Sequence, residues 1–109
     1  MSKSQYQSLF DKSNRVSQRF LLALFKPNQK THSRVGIIVG KRVAKLAVTR
    51  NQIKRIVRES FRTHHEKFQG FDIVVIARAK CDSLDKIQLR EGIEKLWQTL
   101  VVQSQKASL

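Results

Sequence analysis

Apolar residues in this chain form two kinds of pattern, short continuous runs and longer stripes at helical spacing. The runs are Phe20–Phe25, Val35–Val39 and Phe71–Ala77. The last two are rich in β-branched residues and lie beside Gly40 and Gly70, which favours β-strands. Because these runs are nearly continuous, they indicate strands that are covered on parts of both faces, with helices packed on the sheet.

The first stripe at three- and four-residue spacing predicts an amphipathic helix in the middle of the chain. Thr49 and Gln52 have the spacing of a capping box, which predicts that the helix begins at this point. It is expected to end near Gln69, because Gly70 suits the left-handed position that follows a helix. The apolar members of the stripe are Ile53, Ile56, Val57, Phe61 and Phe68.

A second stripe predicts a helix near the C-terminus. Asp85 is its predicted N-cap, with Gln88 completing a capping box. The apolar members, with Trp97 assigned to the core, are Leu89, Ile93, Leu96, Trp97, Leu100 and Val101. Ser4–Phe10 predicts a further short helix. The order helix, strands, helix, strand, helix predicts one α+β or α/β sandwich over residues 1–109.

The net charge of the chain indicates which class of molecule it binds. The chain has 22 Lys and Arg against 8 Asp and Glu, a net charge of +14, and residues 1–62 hold 15 of the basic and 2 of the acidic side chains. Such a surplus favours a nucleic-acid partner. The single cysteine, Cys81, excludes an internal disulfide. No apolar run reaches the roughly 18 residues of a membrane span, so no membrane partner is expected.

The basic residues of the middle helix form one band on a helical wheel. With the first of them at zero, the others lie at about 40° to 140°, and the apolar stripe occupies the neighbouring arc. Like charges four residues apart repel, and cations in the first turns oppose the helix dipole. A phosphate-binding face explains these costs better than the alternative, a solvated face. The band consists of Arg50, Asn51, Lys54, Arg55, Arg58 and Arg62.

The turn before this helix carries three more cations, Lys41, Arg42 and Lys45. Flexible cations in a turn suit contact with a sugar-phosphate backbone. The alternative is a solvated turn.

Residues 34–62, RVGIIVGKRVAKLAVTRNQIKRIVRESFR, resemble the hallmark segment of the bacterial ribonuclease P protein subunit. The helix of that family opens Arg-Asn-Arg-x-Lys-Arg-x-x-Arg, and here Gln52 stands in place of the second Arg. The similarity covers essentially the whole chain. It implies an αβββαβα sandwich with a central mixed sheet and a left-handed βαβ crossover, whereas the general rule for such crossovers is right-handed.

The resemblance also implies a function. In that family a catalytic RNA hydrolyses the 5′-leader phosphodiester of precursor tRNA, and the protein assists as a component of the endoribonuclease. The basic band and the cationic turn are then expected to contact the catalytic RNA in a 1:1 complex. The protein alone is expected to bind no cofactor, and Mg²⁺ is required by the RNA-containing holoenzyme. The expected location is the cytoplasm.

Three aromatic residues are candidates for binding the single-stranded leader of precursor tRNA, because bases stack on aromatic faces. Tyr6 and Phe10 lie four residues apart on one side of the first predicted helix, where they could equally pack that helix on the sheet. Phe20 lies in an apolar run, and a place in the core is its alternative.

No catalytic residue and no metal site are predicted. A protein nuclease needs clustered carboxylates for metal ions, or imidazoles placed for acid–base catalysis. The eight acidic residues form no convincing ligand set. His64 and His65 point about 100° apart on a helix, and with Cys81 they fit no zinc-binding spacing.

Two other classes of protein are expected to have a similar excess of basic residues. A ribosomal or other structural RNA-binding protein would be equally basic. A regulator of duplex DNA could insert the middle helix into a major groove. A strand and a turn precede that helix where a helix-turn-helix would be needed, which disfavours the DNA regulator.

Overall fold

The computed structural model describes residues 14–107. These residues form four strands, two α-helices and two 3₁₀ turns, in the predicted order of strands, helix, strand and helix. The predicted helix over Ser4–Phe10 lies outside the described residues. The elements are β1 (Asn14–Ser17), β2 (Leu21–Pro27), β3 (Arg34–Ile38), α1 (Ala47–His64), a 3₁₀ turn (His65–Phe68), β4 (Phe71–Ala77), a second 3₁₀ turn (Cys81–Ser83) and α2 (Lys86–Ala107).

The four strands form a mixed sheet in the order β1-β2-β4-β3. β2 is antiparallel to both β1 and β4, and β3 is parallel to β4. β4 has the predicted bounds, and all its residues except Ile76 are buried. β1 contributes only Val16 to the core, which is why its sequence gives no apolar signal. The α+β class with a mixed sheet is confirmed.

Alternate residues of the central strands pack on opposite faces, as continuous apolar runs predict. Ala23 and Val75, which are register partners, lie in the core between the sheet and the helices. Leu24 and Val74, the neighbouring pair on the opposite face, are also buried, at 3% and 0% exposure. The helix side of the core includes every predicted apolar residue of α1, namely Ile53, Ile56, Val57 and Phe61.

The predicted capping box at the start of α1 is wrong. The helix begins at Ala47, and its N-cap, Leu46, has no side chain that can cap. The backbone N–H groups of Thr49 and Arg50 both donate to the carbonyl oxygen of Leu46, at 3.1 Å. Thr49 therefore lies within the first turn, and Gln52 has no capping function.

The end of α1 differs from the prediction in detail. The α-helix ends at His64, where φ is −116°. The residues that follow form a 3₁₀ turn, whereas the prediction extends the α-helix to near Gln69. This change of direction places the ring of Phe68 on that of Phe61, with centroids 6.1 Å apart. Gly70 has the predicted left-handed conformation, with φ +84°.

The capping box of α2 is confirmed. The N–H of Gln88 donates to Asp85 Oδ1 at 2.7 Å, and the N–H of Asp85 donates to Gln88 Oε1 at 3.1 Å. Trp97, at 1% exposure, lies in the core as predicted. Its indole Nε1 donates to Ser60 Oγ at 2.8 Å and so ties α2 to α1.

Candidate nucleic-acid interface

The predicted basic band lies on one exposed side of α1, next to the buried stripe. We call it the α1 cationic face and define it as Arg50, Asn51, Lys54, Arg55, Arg58 and Arg62. Arg50 and Lys54 are half-buried, and the other four are exposed. The structure therefore brings all six together on one surface, as the helical spacing predicts.

Most of the charge on this face is not neutralised within the protein. Arg55 Nε lies 3.0 Å from Glu59 Oε1, but both side chains are largely exposed, at 79% and 51%, so the pair contributes little stability. Among residues 14–105, Lys54, Arg58 and Arg62 form no ion pair. The face can therefore accept anionic groups without first losing strong internal contacts.

Arg50 has an additional structural function. Its Nη1 donates to the carbonyl oxygens of Ala44 and Lys45, at 2.9 and 2.8 Å. Ala44 is buried, so these bonds fix the loop before α1 against the helix. The side chains of Lys41, Arg42 and Lys45 remain exposed beside it. We call these three residues the cation loop.

A groove of about 480 Å³ runs between the cation loop and the turn after β4. Lys80, a residue that the sequence patterns did not single out, lines it together with Arg42 and Lys45 and with one carboxylate, Asp82. The first turn of α1, represented in the groove by Thr49, contains no acidic residue. The partial positive charge of the helix N-terminus therefore adds to that of the cations.

The loop 28–33, beside the other end of α1, is anchored by a buried carboxylate. Asp72 accepts from Asn28 Nδ2 at 2.9 Å and from Arg34 Nε at 2.8 Å, and Arg34 Nη2 contacts its second oxygen. Burial raises the pKa of Asp72, but the hydrogen bonds from Arg34 and Asn28 outweigh this effect, so the pKa lies below its ordinary value. These contacts join residues that are 38 and 44 positions apart, so no local sequence pattern predicts them.

Of the three leader candidates, Phe20 is the one the structure describes; Tyr6 and Phe10 lie outside the described residues. The Phe20 ring is half-buried against the core, and the guanidinium of Arg19 lies 5.1 Å from its centroid. Both line a groove of about 480 Å³ against α2, which also includes Lys95. Contact with a leader therefore stays a prediction for all three aromatic residues.

The histidine and carboxylate groups near the helix ends make structural contacts. His64 Nε2 lies 3.0 Å from Glu94 Oε2, a contact that joins α1 to α2. Lys67 Nζ, in the turn after α1, lies 3.3 Å from His64 Nδ1. Within residues 14–105, no three His, Cys, Asp or Glu side chains are grouped as metal ligands.

Burial, with a smaller effect of Asp82, raises the pKa of Cys81 to about 11. In the described part of the chain, α1 and α2 lack the apolar length that crossing a bilayer requires.

Comparison with known proteins shows the family of this chain. The model of the family described as Ribonuclease P matches residues 1–101. The chain belongs to the ribonuclease P protein family. The ribonuclease P protein component of Stutzerimonas stutzeri is 41% identical over 101 residues, which cover 92% of this chain and 77% of that protein. The Pseudomonas aeruginosa PAO1 component is 39% identical, over 93% of this chain and 76% of its own length.

Solved structures of ribonuclease P proteins share the fold. The Staphylococcus aureus protein superposes with a TM-score of 0.86 at 30% identity, covering 92% of each chain. The Thermotoga maritima protein in complex with 1-(4-fluorophenyl)-2-thiourea gives 0.78 at 31% identity, over 88% of this chain and 95% of that one. The resemblance stated from residues 34–62 is thus confirmed at the level of the family and the fold.

Proposed function

We propose that this ribonuclease P family chain binds the catalytic RNA of ribonuclease P and the 5′ leader of precursor tRNA. It assists the endonucleolytic removal of the leader, which gives the mature tRNA 5′ end. The observation that carries this proposal is the α1 cationic face, with Lys54, Arg58 and Arg62 exposed or half-buried and without carboxylate partners in the described region.

The geometry of this face suits a sugar-phosphate backbone. Lys54, Arg58 and Arg62 follow one another at four-residue intervals, so each advances about 6 Å along the helix and about 40° around it. The result is a ridge about 12 Å long that can follow several phosphates of one strand. Contact with phosphates releases condensed counterions, which makes RNA affinity fall with salt concentration. The cation loop extends the same surface past the start of α1.

We assign hydrolysis of the phosphodiester to the RNA and no catalytic residue to this chain. Three of the carboxylates in the described residues make structural contacts: Asp72 binds Arg34, Asp85 caps α2, and Glu94 contacts His64. In this proposal Mg²⁺ is required by the RNA-containing holoenzyme. One protein binds one catalytic RNA, and the complex acts in the cytoplasm, where precursor tRNA is its substrate.

For the leader we retain the aromatic candidates Tyr6, Phe10 and Phe20. Stacking on an aromatic ring contributes about 1–3 kcal/mol for each base and depends little on sequence. The guanidinium of Arg19 above Phe20 supports this assignment, since Arg also stacks on bases and adds a positive charge beside them.

Reconstitution tests this function. Labelled precursor tRNA is incubated at limiting Mg²⁺ with the catalytic RNA alone, with the RNA and this chain, and with the chain alone. We expect leader removal only when RNA is present. The chain should lower the Mg²⁺ concentration needed and tighten binding of precursor relative to mature tRNA. Cleavage by the chain alone, or no change in either quantity, would contradict the proposal. Tight RNA binding without preference for precursor would instead indicate a structural RNA-binding protein.

A further inference from the structure

A basic cavity of about 520 Å³ lies between the C-terminal half of α1 and the loop 28–33. Its lining includes Thr31, His32 and Ser33 from the loop, and Arg58, Arg62 and His65 from α1 and the turn that follows. Among residues 14–105, no carboxylate lines it. Two of these residues, Arg58 and Arg62, belong to the α1 cationic face, so the cavity opens from the surface already described.

The walls of the cavity are held in place by hydrogen bonds. Ser33 Oγ donates to the carbonyl oxygen of His65 at 3.3 Å, which ties the loop to the end of α1. Asn28 Nδ2 donates to the carbonyl oxygen of His32 at 3.1 Å, and Asn28 N–H donates to Gly70 O at 2.8 Å. Since Asn28 is also bound by Asp72, the loop is connected to the core of the sheet.

The polar and charged groups in the cavity lining include donors suited to a phosphate ester. Arg58 and Arg62 are exposed and, in the described part of the chain, form no ion pair. A guanidinium group matches the geometry of phosphate oxygens. His65 Nδ1 lies 2.7 Å from the carbonyl oxygen of Arg62 and donates to it, so Nε2 is left for a ligand. The hydroxyl of Thr31 and the imidazole of His32 add polar groups on the opposite wall.

We propose that this cavity binds one unpaired nucleotide of the catalytic RNA. Its phosphate lies against Arg58 and Arg62, and its ribose and base lie between His65 and the loop residues Thr31 and His32. A volume of about 520 Å³ exceeds what a phosphate group alone would fill, and it lies within the roughly 300–1,000 Å³ range of small-molecule sites. The inference rests on the proposed function, because it assumes that the α1 cationic face binds RNA.

The catalytic RNA is a better occupant than the leader. The groove that contains Phe20 lies before the start of β2, and the loop 28–33 follows its end. The seven residues of β2 separate the two sites by about 20 Å. A backbone bound along Lys54, Arg58 and Arg62 reaches the cavity directly, because two of these residues line both surfaces.

Site-directed photo-crosslinking tests the occupant. Gln69 is exposed and lines the cavity, so a Gln69→Cys variant can carry an azidophenacyl group there. Cys81 is buried and its pKa is about 11, so it should not be labelled. In the reconstituted holoenzyme we expect one dominant crosslink to an unpaired nucleotide of the catalytic RNA. Thr99→Cys on the exposed side of α2 is the matched control and should give none. Crosslinks only to precursor tRNA, or no crosslink from Gln69→Cys, would overturn the proposal.

Affinity measurements provide the second test. His32→Ala should weaken binding to the catalytic RNA about three- to tenfold. Lys30→Ala, which removes a full charge from the same loop but outside the cavity lining, should weaken it less. If affinity merely followed charge, the order would be reversed, and the proposal would be wrong. Thermal melts of both variants establish that they fold.

The two proposals fail in different ways. If the chain does not bind the catalytic RNA, the proposed function fails. If Lys54→Ala weakens binding while His32→Ala has no effect and Gln69→Cys gives no crosslink, only the nucleotide cavity is excluded.

Discussion

Arg34 and Asp72 form a two-point ion pair across the neighbouring parallel strands β3 and β4, where they are register partners. Asp72 is only 3% exposed and also binds Asn28, the first residue of the loop 28–33. The pair therefore stabilises the sheet and fixes the loop beside the α1 cationic face.

Replacing the buried carboxylate should destabilise the protein. Asp72→Asn leaves the Arg34 guanidinium without its anionic partner, so we expect the free energy of unfolding to fall by about 2–3 kcal/mol. Urea unfolding followed by the fluorescence of Trp97 measures this change. Asp82→Asn, at an exposed position, is the control and should shift the midpoint little. Equal effects of the two variants would show that the buried ion pair does not stabilise the protein more than an exposed carboxylate does.

The same residue predicts a pH dependence. The pKa of Asp72 is lower in the folded chain than the ordinary value of 3.8. Its stabilising effect is thus fully present above that ordinary value and is lost as the pH falls through the lower, folded-state pKa. The difference in unfolding free energy between wild type and Asp72→Asn should be constant from pH 5 to 7 and shrink below about pH 4. A difference that stays the same at pH 3 would contradict this assignment.

The two predicted capping boxes provide a matched pair of substitutions. Asp85→Ala removes a side-chain cap from α2 and should lower the free energy of unfolding by about 1 kcal/mol. Thr49→Ala removes no cap, because Leu46 occupies the N-cap position of α1, and should have an effect within about 0.5 kcal/mol. Thermal denaturation followed by circular dichroism compares them. A larger loss for Thr49→Ala would show that α1 begins where the sequence pattern places it.

Ser60 should contribute more to the stability of the protein than its position on a helix surface suggests. Ser60→Ala leaves the indole N–H of the buried Trp97 without its acceptor, which costs about 1–3 kcal/mol. Thr99→Ala also removes a helix hydroxyl, but this hydroxyl donates to the Lys95 carbonyl at an exposed site. Urea midpoints of the two variants should differ accordingly. Equal midpoints would mean that the bond between α1 and α2 contributes nothing.

Most of the fold follows from the sequence because its signals are local. The apolar run 71–77 forms a central strand, and Asp85 and Gln88 form their box three residues apart. The start of α1 could not be found this way. Arg50 binds the carbonyls of the preceding loop, and the first turn begins three residues earlier than the Thr49 pattern predicts, with Leu46 and not Thr49 as N-cap.

The candidate site, like the fold, could be predicted from the sequence only in part. The α1 cationic face follows from helical spacing alone, since each member is fixed by its neighbours. The cavity beside it depends on His32 and on the Asn28–Asp72 contact between residues 44 positions apart. No periodicity in the chain encodes such a contact, and only the folded structure shows that the loop 28–33 faces α1.

The salt dependence of binding to the catalytic RNA tests the central claim most directly. A plot of log affinity against log salt concentration gives a slope proportional to the number of phosphates neutralised. For Lys54→Ala and for Arg58→Ala, we expect weaker binding and a slope reduced by up to about one unit for each lost contact. Arg90→Ala, on the exposed surface of α2, should leave both quantities near the wild-type values. Unchanged slopes for the α1 variants, or an equal loss for Arg90→Ala, would contradict the claim that the α1 cationic face binds the RNA backbone.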